Sequence, residues 1–538
     1  MGNGGWKILA VLAAAQFLMV LDQAVMNVSI SQLVEDFDTE VTTIQAVITL
    51  YSLVMAALMI AGGKIGDLWG RRRAFAVGHA IYGVGSLVTA FAWSVPVLTL
   101  GWSVLEGIGA ALVLPALAAL TARSFQGRDR ALAYGVLGGV SGAGIAVGPI
   151  LGGWVTTNLT WRVVFAGEVV VVALILLGYR RMPSDRGRPG AQLDLVGAVL
   201  SAVGLAAIVL AVLNASSWGW LQPRNSPIEP FGFSLTPFLI AGGAGVLALF
   251  RIWQRRREAQ QREPLIHLAL LRIAALRGGL VMFMFQNLIL MGIFFAVPLY
   301  LQIVQGFDAF ETGLRMLPVS VTLFVTALLG SRLSRRLSPR LLVRAGTILL
   351  VLASLLLLAT IEPEIDTLPF GIAMAVLGIG MGLIVSQLGN VVQSAVGEGE
   401  RSEAGGLQYT AQQLGASLGT ALIGAVVISG LIASFSSNVT GNPQISAAVQ
   451  EEVSVRLAGD VSFVSTAHVR SAAEAAGVDA ATTDALVADY ADSQLKALKT
   501  GLLVAALLSF AAFLSTGNLP TRAGPAAAEV SDSELVAA

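Results

Sequence analysis

The sequence predicts an all-α membrane protein with fourteen transmembrane helices. Hydrophobic residues make up 55% of its 538 residues and charged residues only 12%, about half of the charged fraction that is usual in soluble domains. A soluble chain of this composition could not cover its surface with polar groups, so an ordinary soluble protein is excluded. The apolar residues also occur in runs of about 20, the length that crosses a hydrocarbon core of about 30 Å.

Each apolar run lies between clusters of charged residues and is interpreted as one helix. The first run contains Asp22 and lacks a strongly basic start, which distinguishes it from a cleaved signal peptide. The predicted spans are 7–30, 43–63, 74–93, 96–121, 131–156, 162–180, 194–214, 234–252, 278–304, 312–331, 341–360, 368–396, 404–434 and 499–517.

Lysine and arginine collect at alternate ends of these spans. If the N-terminus is cytoplasmic, 26 of the 33 basic residues fall on the cytoplasmic side. By the positive-inside rule, this bias predicts that both termini are cytoplasmic. We therefore expect a multi-pass protein of a cell membrane, the plasma membrane or a bacterial inner membrane.

Two segments do not have the composition of membrane spans. Residues 435–498 are rich in alanine and acidic residues, and helical spacing within 444–458 and 480–498 predicts short helices that cap the outer face. Residues 518–538 are rich in alanine, proline and acidic residues, which predicts a disordered cytoplasmic tail.

The side-chain inventory excludes several classes of function. The 33 basic residues equal the 33 acidic ones, so no overall charge favours nucleic acid. The chain has no cysteine and only three histidines, His79, His267 and His468. Because no metal cluster, nucleophile constellation or phosphate-binding loop is apparent, we expect neither an enzyme nor a bound cofactor or metal.

Three motifs carry a family resemblance. Residues 63–73 read Gly-Lys-Ile-Gly-Asp-Leu-Trp-Gly-Arg-Arg-Arg, which resembles the cytoplasmic loop signature of the major facilitator superfamily. Residues 144–153, Gly-Ile-Ala-Val-Gly-Pro-Ile-Leu-Gly-Gly, resemble its antiporter signature. Residues 21–28, Leu-Asp-Gln-Ala-Val-Met-Asn-Val, are similar to the first-helix motif of its fourteen-helix drug:proton antiporters. Together these motifs identify the chain as a member of that family.

The resemblance implies two six-helix bundles, spans 1–6 and 9–14, with two extra helices inserted between them. Such bundles rock around a binding site near the middle of the membrane. The implied domains are the first bundle at 1–181, the inserted helices at 182–265, the second bundle at 266–517 with the 435–498 insertion, and the tail at 518–538.

Three acids inside predicted spans, Asp22, Glu106 and Glu168, are the candidates for proton coupling. A carboxylate within the membrane costs several kcal/mol unless it is paired, protonated or hydrated, so a functional role is the default interpretation. Structural alternatives stay open: a fixed ion pair for Asp22, a neutral hydrogen-bonded acid for Glu106, and a pair with Arg162 for Glu168. The family usually has arginine where this chain has Ser103, which α-helical spacing places on the face of Glu106.

The resemblance also assigns two moving contacts. A charge latch in the cytoplasmic loop would hold the bundles together in one state and release them in the other, and its residues are Gly63, Asp67, Gly70, Arg71, Arg72, Arg123 and Arg128. The antiporter motif would form a sliding seam, because small residues every four positions let helices approach closely; its residues are Gly144, Gly148, Pro149, Gly152 and Gly153.

Uncharged polar side chains in the spans predict an adaptable, largely apolar substrate cavity. About half of these side chains are expected to form hydrogen bonds between helices instead of lining the cavity. The candidates are Asn27, Gln286, Asn287, Gln387, Asn390, Gln408, Tyr409 and Gln412.

The function that follows is a proton-coupled antiporter that exports lipophilic or amphipathic small molecules by alternating access. Its expected partners are the substrate, protons and the lipid bilayer, with the monomer as the functional unit. The alternative is a lipid or lipid-like metabolite flippase on the same fold. A membrane-embedded enzyme is disfavoured because the chain shows no catalytic constellation.

Overall fold

The computed structural model describes residues 3–39, 41–183, 187, 193–223, 226–334, 336–446, 450 and 463–521. Over these residues the chain is helical, and no strand occurs among them. A helix satisfies its backbone hydrogen bonds within one segment, which is what a lipid environment without water requires. The apolar runs therefore become long helices.

Six helices make up the first part of the chain. The fourth begins with one α-helical turn, continues as a π-helix over Thr99–Glu106 and then becomes α-helical again. A short helix, Ile30–Asp36, follows the first. The six are α1 (Asn3–Val28), α2 (Val41–Trp69), α3 (Arg71–Ala90), α4 (Val95–Ser124), α5 (Gly127–Asn158) and α6 (Arg162–Gly178).

Eight further long helices follow, and a short helix, Thr466–Ala475, lies between the last two. The first two form a hairpin, and the next one continues as a short π-helix over Tyr300–Val304. The eight are α7 (Leu195–Trp218), α8 (Leu235–Ala259), α9 (Ala274–Leu299), α10 (Ala309–Leu333), α11 (Pro339–Thr360), α12 (Thr367–Ser394), α13 (Arg401–Gly441) and α14 (Ala480–Ser515).

Among the described residues, thirteen helices are long and apolar enough to cross a membrane. The remaining long helix is α3, whose 20 residues begin with three arginines and therefore have a lower hydropathy. It nevertheless packs against α4 and α6 within the first bundle. The predicted all-α membrane fold is confirmed, and the predicted count of fourteen agrees with it closely.

The largest difference from the predicted boundaries lies on either side of the 435–498 insertion. Helix α13 extends to Gly441 and α14 begins at Ala480, so both flanks of the insertion continue membrane helices. Phe435 and Tyr490 join these extensions through an edge-to-face contact at 5.2 Å between ring centroids. Residues 447–449 and 451–462, which include most of the predicted 444–458 helix, lie outside the described residues, as does the tail beyond 521.

Two buried cores correspond to the two bundles. The first contains Tyr82 and Trp102 from α3 and α4, and the second contains Phe370 and Leu388 from α12. The α7–α8 hairpin lies outside both cores and packs through α7 against α2 and α13. The inserted helices therefore lie beside the line where the two bundles meet.

Two helix pairs, α2 with α13 and α5 with α10, make the largest contacts between the bundles, and α4 also packs against α13 and α5 against α12. A methyl group at Gly63 would lie 2.6 Å from the carbonyl oxygen of Ser402, and one at Gly135 would lie 2.8 Å from that of Ala327. Because these distances leave no room for a side chain, both contacts depend on glycine.

The arginine-rich ends of the helices meet on one face. Arg71 at the start of α3 bonds to Ser402 at the start of α13, and Arg401 donates to the carbonyl of Ala122 at the end of α4. We call this side the basic face. Both joining contacts, α2–α13 and α5–α10, are closed toward it.

We expect Gly148→Ala to destabilise the protein, because the new methyl group would lie 2.2 Å from the Cβ of Ala24 on α1. Overpacking of this kind costs about 1–3 kcal/mol. The control is Gly167→Ala on α6, where the methyl group meets nothing within 4 Å. Thermal unfolding in detergent measures both variants, and equal midpoints would contradict close packing of α1 on α5.

Candidate functional site

The three acids predicted to carry protons come together inside the first bundle. Asp22 on α1, Glu106 on α4 and Glu168 on α6 each offer a carboxylate oxygen, and these oxygens lie within 4.8 Å of one another. Their side chains are buried, with exposures of 0%, 0% and 2%. The helices thus bring residues that are far apart in the sequence into one cluster, called the acid cluster below.

Each carboxyl group of the acid cluster accepts one hydrogen bond. Trp102 Nε1 donates to Asp22 at 2.8 Å, Thr89 donates to Glu106 at 3.3 Å, and Ser86 donates to Glu168 at 3.1 Å. The second oxygen of each carboxyl group has no partner. Three buried oxygens are therefore available to hold or pass a proton.

A polar stripe on α3 forms one wall of the acid cluster. His79, Tyr82, Ser86 and Thr89 are spaced by three or four residues and all are buried, so they share one face of the helix. Tyr51 on α2 completes the surroundings by stacking on Trp102 at 4.5 Å. The spacing of these polar residues is visible in the sequence, but the acidic residues alone do not point to it.

Two glycines allow α3 and α4 to approach closely enough to place Glu106. A methyl group at Gly85 would lie 2.6 Å from Cγ of Glu106, and one at Gly101 would lie 2.6 Å from the hydroxyl of Thr89. Glu106 itself ends the π-helical segment of α4. Segments of π-helix are rare in proteins, and those that do occur are often found at functional sites.

The π-helix corrects the expectation that Ser103 and Glu106 share a face. Ser103 donates to the carbonyl of Val47 on α2 at 2.7 Å, whereas Glu106 bonds to Thr89 on α3. A π-helix needs more residues for each turn than an α-helix, so side chains three positions apart no longer align. Ser103 and Glu106 therefore bond to different helices, α2 and α3.

The described residues place no cation beside the acid cluster. Arg162, the proposed partner of Glu168, instead pairs with Asp36 at 2.6 Å. Two unit charges 4.8 Å apart repel by about 3 kcal/mol at an effective dielectric constant of about 20. Because the carboxylate oxygens are at most that far apart, ionisation of one acid opposes ionisation of the next.

Asp67 and Arg71, the predicted latch residues, form a buried ion pair at 3.1 Å. Arg71 also reaches the second bundle, where its Nε donates to the hydroxyl of Ser402 at 2.9 Å and its Nη2 donates to the carbonyl of Glu398. One guanidinium group thus ties α2 and α3 to the start of α13.

The remaining latch candidates occupy different positions. Gly70 joins α2 to α3 with a φ of 91°, a conformation that favours glycine. Arg72 turns to the carbonyl of Met182 at 3.3 Å, within the first bundle. Arg123 is exposed at the end of α4, and the side chain of Arg128 lies outside the described residues.

The antiporter-motif glycines line the contact between α5 and α1. Methyl groups at Gly144, Gly148 and Gly152 would lie 3.0 Å or less from Val20, Ala24 and Val25. Gly153 is buried on the same helix, and the side chain of Pro149 lies outside the described residues. The seam runs alongside Asp22, so a shift of α5 would act directly on the helix that carries this acid.

The substrate-cavity candidates divide into bonded and unbonded side chains. Gln387 donates to the carbonyl of Gly330 at 3.1 Å, Asn390 accepts from Arg130 at 2.9 Å, and Asn287 donates within its own helix to Phe283. The side-chain oxygens of Gln286 and Gln408 are buried and have no hydrogen-bond partner. Gln412 is half-buried, and the side chain of Asn27 lies outside the described residues.

Tyr409 crosses from one bundle to the other. Its hydroxyl donates to the side-chain oxygen of Gln16 on α1 at 3.3 Å, and both residues are buried. Gln16 was absent from the sequence-based candidates, as were Ser402 and Glu398. No local pattern marks these partners, because each lies more than 300 residues from the residue that it contacts.

Comparison with known proteins gives the chain a family. The sequence profile of the Major Facilitator Superfamily matches residues 12–420. Puromycin resistance protein pur8 of Streptomyces alboniger is 34% identical over 431 residues, which cover 78% of this chain and 81% of that protein. Multidrug efflux pump LfrA of Mycolicibacterium smegmatis is 28% identical over 518 residues, 95% of each chain.

Comparison with solved structures supports the same fold. The human organic anion transporter MFSD10 (TETRAN) superposes with a TM-score of 0.58 over 95% of this chain and 99% of its own, at 14% identity. At that identity the likeness concerns the fold alone. With the family profile spanning most of the helices, the chain belongs to the Major Facilitator Superfamily, and it is a multi-pass membrane transporter rather than an enzyme.

Proposed function

We propose that this transporter is a proton-coupled antiporter, which exports lipophilic or amphipathic small molecules by alternating access. The observation that carries the proposal is the acid cluster, because three buried carboxyl groups without a cation are stable only when protons neutralise them. Intramembrane acids in such surroundings are the usual proton carriers of transporters.

The positive-inside rule supports a cytoplasmic location for the basic face and both termini. In that orientation the latch of Asp67, Arg71 and Ser402 closes the cytoplasmic side in the described state. The two bundles and the inserted hairpin would move as the bodies proposed from the sequence, 1–181, 266–517 and 182–265, with the monomer as the functional unit.

Protons drive export by neutralising and then leaving the acid cluster. Because the carboxylates repel one another, a proton that binds to one of them changes the charge that the other two experience. Each proton that crosses with the membrane potential supplies about 2.3 kcal/mol per 100 mV. That energy can maintain a useful concentration ratio of the exported molecule across the membrane.

The relatives support small molecules as the exported class. One is named a puromycin resistance protein and another a multidrug efflux pump. The unbonded amides Gln286 and Gln408 suit such substrates, since they offer uncharged acceptors in apolar surroundings. Lipid flipping, the alternative on the same fold, has no corresponding support among these relatives.

A proteoliposome assay distinguishes these two functions. Purified protein is reconstituted with an imposed pH gradient, and the panel contains lipophilic cations, neutral drugs and fluorescent lipids. Uphill movement of drugs that is accompanied by dissipation of the pH gradient supports antiport. Lipid movement without drug movement would overturn the proposal in favour of the flippase.

We expect Asp22→Asn to abolish uphill export while substrate binding persists, because asparagine keeps the hydrogen bond from Trp102 and loses the exchangeable proton. Export driven by a pH gradient should fall at least tenfold. The control is Glu474→Gln, which changes an exposed acid in the 435–498 insertion. Gradient-driven export at the wild-type rate in Asp22→Asn would remove this residue from proton coupling.

We expect Glu106→Gln to shift the pH dependence of export or to lower the number of protons exchanged, since the cluster then keeps two titrating groups. Glu168→Gln should act similarly, because Ser86 can still donate to the amide oxygen. Export is measured from about pH 5.5 to 8.5, with proton flux followed in the same vesicles. Superimposable profiles for the wild type and both variants would leave Asp22 as the only coupling acid.

We expect Asp67→Asn to slow alternation without abolishing substrate binding, because the variant removes the buried charge that orients Arg71 toward Ser402 and Glu398. Turnover should fall several-fold while the dissociation constant for substrate stays within about twofold. Stopped-flow transport and equilibrium binding measure the two quantities. Unchanged turnover would reduce the loop to a topology signal.

A further inference from the structure

A segment after the inserted hairpin crosses the contact between α2 and α13. Residues 262–268, called the strap below, follow α8 and are fastened to it by three polar contacts. The side chain of Gln254 accepts the N–H of Leu265 at 2.7 Å, that of Glu258 accepts the N–H of Leu268 at 2.9 Å, and Arg257 donates to the carbonyl of Glu263 at 2.9 Å. The strap is thus a fixed extension of α8.

The apolar middle of the strap is buried against both bundles. Leu265 and Ile266 are 0% and 3% exposed and share a cluster with Ile60 of α2. Leu407 and Leu414 of α13 pack against the same cluster. The strap therefore covers the line along which α2 and α13 would separate.

The polar ends of the strap each hold one bundle. The carboxylate of Glu263 lies 3.2 Å from Nζ of Lys64 on α2, whose side chain is only 2% exposed. Nδ1 of His267 lies 3.1 Å from Oε2 of Glu403 on α13, and its backbone N–H donates to the same carboxylate. One short segment thus bridges the first bundle and the second.

The strap and the latch act on the same place. Glu403 follows Ser402, the residue that accepts a hydrogen bond from Arg71. Lys64 follows Gly63, whose Cα is packed against the backbone of Ser402. If α2 and α13 move apart at the basic face, at least one of the two strap contacts breaks.

We propose that the strap is a cytoplasmic clamp, in which Glu263 and His267 are positioning residues that set the balance between the closed and the open gate. The inference rests on the proposed function in one respect, that the contact between α2 and α13 opens during transport. It adds a role for the inserted hairpin, which carries the clamp to the gate.

The clamp responds to cytoplasmic pH through His267. The hydrogen bond from His267 to Glu403 raises the pKa of the imidazole more than partial burial lowers it. Two other charged groups face the imidazole of His267, Lys64 on α2 and Glu263 in the strap. Glu258 and Arg257 of α8 bind the strap backbone. Asp67 and Arg71 lie on the far side of Glu403.

The direction of the pH effect follows from this raised pKa. The protonated histidine strengthens its pair with Glu403, so the contribution to closure is complete below the ordinary pKa of about 6.5. It is lost as the cytoplasmic pH rises through the raised value. Alkaline cytoplasmic pH therefore favours the open gate.

A distance measurement between the bundles tests the clamp. The chain has no cysteine, so Arg73→Cys and Arg336→Cys, at exposed positions on the two bundles, accept spin labels in the full-length protein. In proteoliposomes, the population with the longer distance should rise at least threefold between pH 6 and 8.5. In His267→Gln it should be high already at pH 6, and its change with pH should shrink to the part that the acid cluster contributes. A pH response that persists unchanged in His267→Gln overturns the role of His267.

A charge exchange tests the other end of the strap. Lys64→Glu and Glu263→Lys should each increase the open population at least threefold, and the double variant should restore the wild-type distribution. The control is Asp484→Asn, which breaks the exposed ion pair with Arg470 in the 435–498 insertion. This variant should leave the distances between the spin labels unchanged. If both single variants also leave them unchanged, the clamp is overturned.

The clamp and the proposed function fail in different experiments. Gradient-driven export that is unaffected in Asp22→Asn counts against proton coupling, and the distance distributions can still be read. Strap variants with wild-type distances and intact proton-driven export overturn the clamp alone.

Discussion

Close approach of helices at glycine is the constraint on which the rest of this structure depends. Lipid provides no hydrophobic force between helices, so packing and interhelical hydrogen bonds must hold a membrane bundle together. Glycines let α1 meet α5, α3 meet α4, and α2 meet α13 at distances that exclude a side chain. Each of these contacts lies beside a residue of the functional machinery.

The acid cluster is a consequence of that packing. Gly85 and Gly101 bring α3 against the π-helical part of α4, and this contact positions Glu106 beside Thr89. The same wall of α3 supplies Ser86 to Glu168. In the proposed mechanism, proton binding would depend on neutral hydrogen-bond donors and on repulsion among the acids rather than on an arginine at the position of Ser103.

The contact between α2 and α13 combines three kinds of interaction in one place. Backbones pack at Gly63, Arg71 reaches Ser402 across the bundles, and Lys64 pairs with Glu263 of the strap. Removing a partner from a buried charge is costly, so in the proposed transport cycle the polar contacts would separate and re-form as a set. The proposed gate would then have two discrete positions, as alternating access requires.

The sequence by itself determined the approximate number of spans, the basic side, the candidate acids and the three family motifs, because run length, charge and short spacings are local properties. It did not determine which helices meet. Asp22, Glu106 and Glu168 come from three separate helices, and Arg71 meets Ser402 across 331 positions of the chain. The π-helix that separates Ser103 from Glu106 also left no local signal. Helical spacing predicted a helix at 480–498, but not that it would continue without a break into α14. Helix rotation, register and close approach depend on all neighbouring helices at once, so only the tertiary structure decided them.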